Sequence, residues 1–447
     1  MLSKEDNDLL TRVGSGTPMG DLFRRFWLPA LLSEEIALPD SAPIRLRILC
    51  EDLLAFRDDS GRVGIIEAHC AHRGAPLFFG RNERGGIRCA YHGWKFDVDG
   101  KCVDIPNDPR VKDNARVLVA SSVGSYPTTE AGGVVWVYMG PKDRMPPPPS
   151  FEWTRVPETH RHVSRWLQRS SWLQGAEGEI DSSHISFLHQ ELDPADSALG
   201  VTGANLAVDG APVITLKDMA YGFASAARRR RGEEYFWRVS QWLAPMYSLI
   251  PRAPSEVFAG SGGRAWVPID DCNTVTFAYS FRVDRPLSAA EMELISGGAH
   301  FPPRTTKMAI RVGESHPVDV FVPEAGIHND YMIDRQMQRT RNFTGIWGVN
   351  AQDRSVQEGM RPAPSGPVGI VDRTREHLMG SDIAIVTARR KLLAMVKDLQ
   401  KGIEPAAASD VAHRFARAIS SISTTASLDE YLAGYESKAA AKDGAGR

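Results

Sequence analysis

The chain has 447 residues, and its 53 Lys and Arg against 55 Asp and Glu give a formal net charge of −2. A balance so close to zero excludes a general electrostatic attraction to nucleic acid or to an anionic membrane surface. The acidic N-terminus lacks the apolar run of a signal peptide, and no apolar stretch of about eighteen residues predicts a transmembrane helix, so we expect a cytoplasmic protein of one to three domains.

Residues 1–41 predict an N-terminal helical segment. Ser3 is followed by acidic residues, a plausible helix start, and apolar residues recur at mixed spacing from Leu9 to Phe26. The sequence GSGTP, from Gly14 to Pro18, interrupts this run. We therefore predict two short helices that are separated at Gly14–Pro18.

Residues 42–145 predict an antiparallel β domain. The stretches IRLRILC, LLAFRD and VGIIEAHC alternate or run apolar for five to eight residues between turn signals. Val98-Asp99-Gly100 predicts a hairpin turn, and Gly133 to Met139 predicts a buried strand. Four consecutive prolines, Pro146 to Pro149, favour an extended linker and place the domain boundary near residue 145.

Within this β domain, the stretch that ends at Phe96 carries a metal-binding pattern. Cys70-x-His72 is followed by sixteen residues and then by Cys89-x2-His92. Each half offers one thiolate and one imidazole, so two loops can hold two irons, with both cysteines on one iron and both histidines on the other. The alternative is a zinc site, but zinc fingers usually place two cysteines in one loop and two histidines in the other.

The same stretch resembles a known family. CAHRGAPL followed by CAYHGWKFDVDGKC is similar to the Rieske domain of the aromatic-ring oxygenases, although Ala71 and Ala90 stand where that family often has proline. Neither alanine is at a ligand position. The resemblance implies a Rieske two-iron two-sulfur cluster held by Cys70, His72, Cys89 and His92.

Residues 150–440 predict a second, α+β domain. Four stretches favour strands of one antiparallel sheet, and Ser381 to Leu399 predicts an amphipathic helix. The four strands are expected at Val213–Leu216, Tyr235–Leu243, Met246–Ile250 and Asn273–Val283. Residues 437–447 have little to bury and are expected to form a flexible tail.

A second metal pattern lies in GEIDSSHISFLHQ, which contains Asp181, His184 and His189. Two histidines and one carboxylate form the facial triad that binds non-haem Fe(II) and activates dioxygen. Residues five apart lie about 140° apart around a regular helix, so both histidines reach one ion only if the helix is bulged or broken. The alternative interpretation is a pair of structural or surface histidines.

The resemblance to the ring-hydroxylating oxygenases implies that His184 and His189 bind the mononuclear iron and that a carboxylate far downstream completes the triad. Asp353, within NFTGIWGVNAQDRSVQEGM, is our choice, and Glu358 and Asp382 are the alternatives. The resemblance makes Asp181 a bridge between the iron-bound His184 and His92 of the partner subunit.

The stretches TRVGSGTPMGDLFRRFW and IVDRTREHLMGSD resemble both ends of the phthalate dioxygenase group. This likeness implies that the N-terminal segment contacts a helix-grip catalytic domain. It also implies a trimer or stacked hexamer of one kind of subunit, in which dioxygen reacts beside an aromatic substrate.

Two iron sites in one chain predict an oxygenase. The chain has no Gly-rich dinucleotide motif and no plant-type ferredoxin cysteine spacing, so a separate NAD(P)H-dependent reductase of the flavin or ferredoxin type must supply electrons. Three other functions stay open: a Rieske monooxygenase or O-demethylase of an aromatic acid or ether, a Rieske electron carrier, and a zinc-stabilised structural protein.

Several arginines are candidates for binding a substrate carboxylate: Arg228, Arg229, Arg238 and Arg252. Strand alternation sends about every second side chain inward, and a buried guanidinium can bind both carboxylate oxygens. The alternative is a solvated face or a reductase-docking patch. The family resemblance points towards benzoate-like or phthalate-like acids.

Overall fold

A computed structural model of the chain describes residues 2–111, 114–192, 209–251, 261–313, 316–364, 366–409 and 412–434, and the structural statements below concern those residues. Their secondary structure falls into three stretches: two N-terminal helices, a region of short strands, and a larger region of long strands and helices. The α+β class that we predicted is confirmed.

The N-terminal stretch contains α1, Lys4–Thr11, and α2, Pro18–Phe23. The Oγ of Ser3 accepts a hydrogen bond from the Asp6 backbone N–H, and the hydroxyl of Thr17 caps α2 in the same way. Pro18, at the first position of α2, starts that helix without losing a hydrogen bond. The prediction of two short helices separated near Gly14–Pro18 is confirmed.

The β region consists of short strands and one helix: β1 Trp27–Leu32, β2 Ile44–Ile48, β3 Glu51–Arg57, β4 Val63–Glu67, β5 Arg81–Glu83, β6 Gly86–Arg88, β7 Lys95–Phe96, β8 Cys102–Asp104, α3 Ala115–Ala120, β9 Ser125–Tyr126, β10 Thr128–Ala131 and β11 Val134–Tyr138. They form three antiparallel sheets with the orders β1-β11-β10, β2-β3-β4-β9 and β5-β6-β7-β8.

Strand β1 is an element that the sequence prediction assigned to the wrong class. It lies inside the segment 1–41, which we predicted to be helical, and it pairs with β11 along its length. All six residues of β1 are buried. A short apolar run without alternation fits a buried strand and a buried helix equally well, so periodicity alone does not distinguish them.

The larger region contains a large sheet, a separate two-stranded sheet and several helices. Its elements are α4 Glu152–Arg155, β12 Arg161–Gln168, α5 Trp172–Ile180, α6 Ile185–Leu188, β13 Val213–Met219, β14 Gly222–Arg231, β15 Glu234–Leu243, β16 Tyr247–Pro251, β17 Ser261–Pro268, β18 Thr274–Phe281, α7 Ala289–Ser296, β19 Thr305–Ile310, β20 Val318–Pro323, α8 Arg335–Thr340, α9 Val349–Gln357, α10 Ile383–Leu399, α11 Ala406–Ser409 and β21 Ile419–Ser423. Short 3₁₀ helices also occur, among them Ser33–Ile36 and Ile327–Met332.

The large sheet is antiparallel and has the order β12-β18-β17-β16-β15-β14-β13, with β21 paired to β15, and β19 and β20 form the two-stranded sheet. The four strands expected from the sequence correspond to β13, β15, β16 and β18, and the amphipathic helix expected from Ser381 corresponds to α10. The bounds 42–145 and 150–440 for the two domains stay predictions.

One face of the large sheet carries the side chains that matter for the site. In the register, Ala227 pairs with Arg238 and Ser248 pairs with Arg264, so Arg229, Arg238 and Arg264 share a face. Helix α5 and the residues that follow it cover this face. The opposite face packs against the C-terminal elements through a cluster that includes Trp237.

Two glycines allow α5 to approach its neighbours closely. A Cβ atom at Gly175 would lie 2.2 Å from the ring of Trp266, and one at Gly178 would lie 2.2 Å from Nε2 of Gln357. Helix α5 therefore contacts β17 on one side and α9 on another. Overpacking at such positions typically costs about 1–3 kcal/mol.

A buried ionic network joins α5 to both ends of the chain. Glu177 forms ion pairs with Arg373, at 2.9 Å, and with Arg389 of α10, at 2.6 Å. Nη1 of Arg373 also donates to Oδ1 of Asn7 in α1. The N-terminal helices therefore contact the region that carries α5, as the family resemblance implied.

Glu35 links the β region to the larger region. Its carboxylate accepts two hydrogen bonds from Arg165 of β12, at 2.6 and 2.8 Å, and lies 2.9 Å from Nζ of Lys307 in β19. Burial alone raises the pKa of Glu35, but the two cations outweigh it and lower the pKa to about 2. Throughout the described ranges, every helix is too short or too polar to cross a membrane.

Candidate metal centres

The two cysteine loops of the β region have the same backbone form. The Gly74 N–H donates to the Cys70 carbonyl at 2.9 Å, and the Gly93 N–H donates to the Cys89 carbonyl at 3.0 Å. Both glycines have positive φ, +68° and +79°, which side-chain-bearing residues rarely adopt. Each loop is therefore a tight turn that starts at its cysteine.

The four predicted cluster ligands come together as two pairs. Cys70 and Cys89 are 3% and 4% exposed, and their thiols contact each other. Nδ1 of His72 lies 3.1 Å from Nδ1 of His92. Burial, together with the neighbouring Cys89 thiol, raises the pKa of Cys70 to about 11. A sulfur pair beside a nitrogen pair matches the donors that a two-iron Rieske cluster requires.

The separation of the sulfur pair from the nitrogen pair argues against a single zinc ion. One tetrahedral zinc ion needs all four donor atoms within about 4 Å of one another. Among the described residues, one group of three or more His, Cys, Asp or Glu side chains has all its donor atoms within 4.8 Å of one another. Cys70, His72, Cys89 and His92 are not in that group. The spacing therefore fits two metal ions with two protein donors each.

Neighbouring side chains that the motif does not identify hold the loops in place. Trp94 stacks on His72, with ring centroids 4.7 Å apart and an interplanar angle of 11°. Nη1 of Arg88 donates to the Gly93 carbonyl at 2.6 Å and to Asp104 at 2.9 Å. Trp94 is part of the conspicuous HGW sequence, whereas no sequence signal distinguishes Arg88.

The second centre is a group of two histidines and one carboxylate. Oδ1 of Asp353 lies 3.1 Å from Nε2 of His189 and 3.6 Å from Nε2 of His184. The two imidazole rings are 5.2 Å apart and nearly perpendicular. The structure thus brings together the three residues that the sequence analysis chose for the mononuclear iron.

A break in the helix allows both histidines to face the same point. Helix α5 ends at Ile180, Asp181 has extended backbone angles, and α6 is a single turn between His184 and His189. The prediction that the helix must be bulged or broken here is confirmed, and it is broken. Asp181 therefore lies past the end of α5, and its Oδ1 accepts a hydrogen bond from the Ser183 N–H at 2.7 Å.

The donor set and its electrostatics fit a ferrous ion. Oδ1 of Asp353 is buried, and within the described part of the chain it faces the two histidines and makes no other hydrogen bond. Burial raises the pKa of Asp353, but His189 and His184 outweigh it and the net shift is downward. Two imidazoles and one carboxylate, with positions left open, are typical of non-haem Fe(II).

Each iron-facing histidine has a partner on its other ring nitrogen. Nδ1 of His184 lies 3.4 Å from Oδ2 of Asp181, and Nδ1 of His189 lies 2.6 Å from Oε1 of Gln352. Such partners fix the ring orientation and leave Nε2 free for a metal. Gln352 was not among the residues expected from the sequence, although it directly precedes Asp353.

The two alternatives for the third ligand are engaged elsewhere. Glu358 accepts hydrogen bonds from the Tyr331 hydroxyl at 2.5 Å and from the Arg169 N–H at 3.0 Å. Asp382 accepts a hydrogen bond from the Met379 N–H at 2.6 Å at the start of α10. Neither belongs to the group that contains the two histidines.

The candidate substrate arginines lie on different faces of the sheet. Arg229 and Arg238 lie on the face that α5 covers. Arg228 lies on the opposite face, where it contacts the Ala426 carbonyl and the rings of Tyr235 and Trp237, so the structure does not bring it to the site. Arg252 lies outside the described residues.

Arg229 and Arg238 differ in their hydrogen-bond acceptors. Arg229 donates to the carbonyls of Ser182, at 2.6 Å, and Asp209, at 3.2 Å, and to the hydroxyl of Ser186, at 3.3 Å. Arg238 donates to the hydroxyls of Ser182 and Ser240, at 3.4 and 3.3 Å. Burial lowers the pKa of each arginine to about 10. Arg238 is thus a buried guanidinium whose acceptors are two distant hydroxyls.

Comparison with known proteins agrees with this geometry. A Rieske [2Fe-2S] domain family matches residues 26–123, and a family described as LigXa C-terminal domain like matches residues 137–424.

Two curated relatives align along most of the chain. The 3-chlorobenzoate-3,4-dioxygenase oxygenase subunit of Comamonas testosteroni is 38% identical over 406 residues, which cover 89% of this chain and 89% of the relative. The phthalate 4,5-dioxygenase oxygenase subunit of Pseudomonas putida is 35% identical over 418 residues, which cover 90% and 88%.

Among solved structures, dicamba monooxygenase bound to dicamba has a TM-score of 0.56 at 17% identity. The match covers 85% of this chain and 98% of that one. At this identity the likeness shows a shared fold.

Proposed function

Because the chain belongs to the Rieske non-haem iron oxygenases, as an oxygenase subunit with a two-iron two-sulfur cluster and a mononuclear iron, we propose that it inserts dioxygen into the ring of an aromatic carboxylate. The iron, when bound, supplies the reductive activation of dioxygen, and the cluster supplies single electrons.

The proposed ligands follow the two groups in the structure. Cys70, His72, Cys89 and His92 hold the cluster. His184, His189 and Asp353 hold the iron, and the buried Oδ1 of Asp353, which faces both histidines, supports this assignment. Gln352 keeps His189 in the tautomer that leaves Nε2 free for the metal.

Asp181 is the proposed link between the two metal sites. It contacts His184 directly, and its side chain remains 20% exposed, so a group from outside the chain can reach it. In the proposed assembly that group is His92 of the partner subunit. This arrangement requires an oligomer, a homotrimer or a stack of two trimers.

Exposed apolar side chains near both sites support such an assembly. Phe79 and Tyr91, beside the cluster loops, are 69% and 58% exposed. Phe187, Phe343 and Trp347, on the segments around the iron ligands, are 47–55% exposed. Exposed apolar groups of this kind mark surfaces that bind another protein. Members of the family receive electrons from a separate protein, and we propose an NAD(P)H-dependent reductase with a flavin or a ferredoxin.

The substrate proposal rests on the burial and the hydrogen-bond acceptors of Arg238. Its guanidinium is buried on the same face of the sheet as the proposed iron-binding segment, and its acceptors among the described residues are two hydroxyls at 3.3–3.4 Å. A carboxylate would supply the short, charge-assisted hydrogen bonds that these hydroxyls do not. The names of the two curated relatives, chlorobenzoate and phthalate dioxygenase, also point to aromatic acids.

Arg238→Met tests this proposal. The Michaelis constant for benzoate, measured with a surrogate reductase, should rise about thirtyfold, because a charge-assisted hydrogen bond contributes about 2 kcal/mol. The constant for benzamide, which has no charge, should change much less. The matched control is Arg228→Met on the opposite face, which should affect neither. Equal effects of Arg238→Met on acid and amide would contradict the proposal.

A further inference from the structure

A buried ion pair lies beside Arg238 and is not part of either metal site. Glu179, in the last turn of α5, contacts Nη1 of Arg264 in β17, and each side chain is 5% exposed. The guanidinium of Arg264 also lies over the ring of Phe301, 3.2 Å from its centroid. The pair is therefore enclosed between the sheet and the helix that leads to the iron ligands.

The position of the pair relates it to both Arg238 and the iron. Arg264 shares its sheet face with Arg238, and Glu179 is two residues before Asp181. After burial and Arg229, the charges of Glu179 and Arg264 are the next influences on the pKa of Arg238. Arg264 also helps to lower the pKa of Asp353. The charges of Glu179, Arg264 and Arg238 therefore influence one another across this face of the sheet.

Both partners of the pair keep unused hydrogen-bonding atoms. Within the described structure, Oε1 of Glu179 and Nε of Arg264 are buried and have no hydrogen-bond partner. The hydroxyl of Ser248, which pairs with Arg264 in the register, has none either. Buried polar atoms in folded proteins are usually satisfied, so such a concentration indicates a place where polar groups meet a ligand or water.

The charges on this face can be counted. In the described ranges, three buried guanidiniums lie there: Arg229, Arg238 and Arg264. Arg229 donates to two main-chain carbonyls and to the hydroxyl of Ser186, and Arg264 is neutralised by Glu179. Arg238, which donates to hydroxyls, is available to one anion. A second anion could reach Arg264 only by displacing Glu179, which would leave a buried carboxylate without a partner and is strongly unfavourable.

We propose that Glu179 is a specificity-determining residue, which holds Arg264 and thereby restricts the site to aromatic monocarboxylates and excludes benzene-1,2-dicarboxylates. This inference rests on the proposed function and refines it by naming the substrate class. Monocarboxylates place one charge on Arg238 and an uncharged ring edge near the Glu179–Arg264 pair. Phthalate would bring its second carboxylate against Glu179, where like charges repel.

The test is the binding of benzoate and phthalate to the holoprotein, followed by isothermal titration calorimetry without dioxygen, so that the readout is independent of turnover. The wild-type protein should bind benzoate at least about tenfold more tightly than phthalate, the effect of one unfavourable charged contact. Glu179→Gln keeps the shape of the side chain and frees the charge of Arg264. It should therefore improve phthalate binding about tenfold relative to benzoate.

A double variant, Glu179→Gln with Arg264→Met, distinguishes an effect of the Arg264 charge from an effect of side-chain size. It removes the freed guanidinium, so the gain in phthalate binding should disappear. Cluster absorption and iron content of each variant report whether the protein has folded. If Glu179→Gln does not fold, the wild-type preference and the double variant, which has no unpaired charge, still decide the matter.

Three results would overturn the inference: wild-type protein that binds phthalate as tightly as benzoate, a folded Glu179→Gln protein with an unchanged preference, or a double variant that gains phthalate binding as much as the single one. Failure of wild-type protein to bind either acid would instead contradict the proposed function. The two failures are thus distinguishable.

Discussion

The two metal centres of this protein are assembled in different ways. The cluster loops take all four ligands from one short stretch, and each loop is a glycine turn that closes on its own cysteine. The proposed iron site takes His184 and His189 from a broken helix and Asp353 from α9, far along the chain. Local sequence therefore specifies the cluster site, whereas tertiary packing specifies the iron site.

The packing that supports the iron site lies outside its motif. Gly175 and Gly178 bring α5 against Trp266 and Gln357, and Glu177 joins α5 to two distant arginines. These contacts fix where α5 ends relative to α9. The distance from His189 to Asp353 depends on them, so we expect the iron site to be more sensitive than the cluster to changes in packing.

The largest expected effect comes from Asp181→Asn, which tests the link between the two centres. The amide keeps an oxygen for the Ser183 N–H but loses the charge that faces His184. Electron transfer from reduced cluster to iron should slow by about a hundredfold, the upper end of the effect of losing a partner of a metal-bound histidine. Stopped-flow absorption of the cluster, with substrate and dioxygen present, measures this rate.

In that experiment both metal sites should stay filled, as iron and sulfide analysis will show. If transfer in the metal-replete variant is near normal, Asp181 only satisfies the backbone of its turn. The argument that the active unit is an oligomer would then lose its main support.

A smaller effect is expected from Gln352→Leu, which should affect one centre and spare the other. The change removes the acceptor for Nδ1 of His189 and keeps a side chain of similar size. Iron affinity should fall about tenfold, as is typical when such a partner is lost, while cluster absorption stays the same. Iron retained after dialysis against a chelator measures this.

The control for Gln352→Leu is Val356→Ala, an exposed change on the same helix. Val356→Ala should retain iron like the wild-type protein. Equal retention by Gln352→Leu and the control would mean that Gln352 does not orient the histidine.

The smallest effect concerns Glu35, which joins the two regions. Its folded-state pKa, about 2, lies below its ordinary value near 4.5, so its ionised form stabilises the fold above pH 4.5 and this contribution is lost as pH falls towards 2. The stability difference between wild type and Glu35→Gln should shrink by about 1 kcal/mol from neutral pH to about pH 4. Urea unfolding at both pH values measures it, and a difference independent of pH would contradict the ionic link.

The difference between the two centres also shows which features could be predicted from the sequence. The cluster ligands, the two short helices, four strands of the large sheet and α10 follow from local signals: ligand spacing, caps, alternation and helical periodicity. The break between Asp181 and His184 follows from geometry, because two histidines five residues apart cannot otherwise share an ion.

Other features depend on contacts that no local pattern contains. Strand β1 is an apolar run that is a strand only because β11 lies beside it. The roles of Gln352 and of the Glu179–Arg264 pair require the relative position of α5, α9 and β17. The separation of Arg228 from Arg229 follows from strand alternation, but which face meets the helices is a tertiary property.

The most direct test of two independently assembled centres is metal analysis of the double variant His184→Ala, His189→Ala beside the wild-type protein. Wild-type protein should contain three irons and two acid-labile sulfides per chain, because the cluster holds two irons and the triad holds a third. The variant should lose one iron and keep both sulfides and the red-brown Rieske spectrum. Loss of that spectrum in the variant, or retention of three irons, would contradict the account.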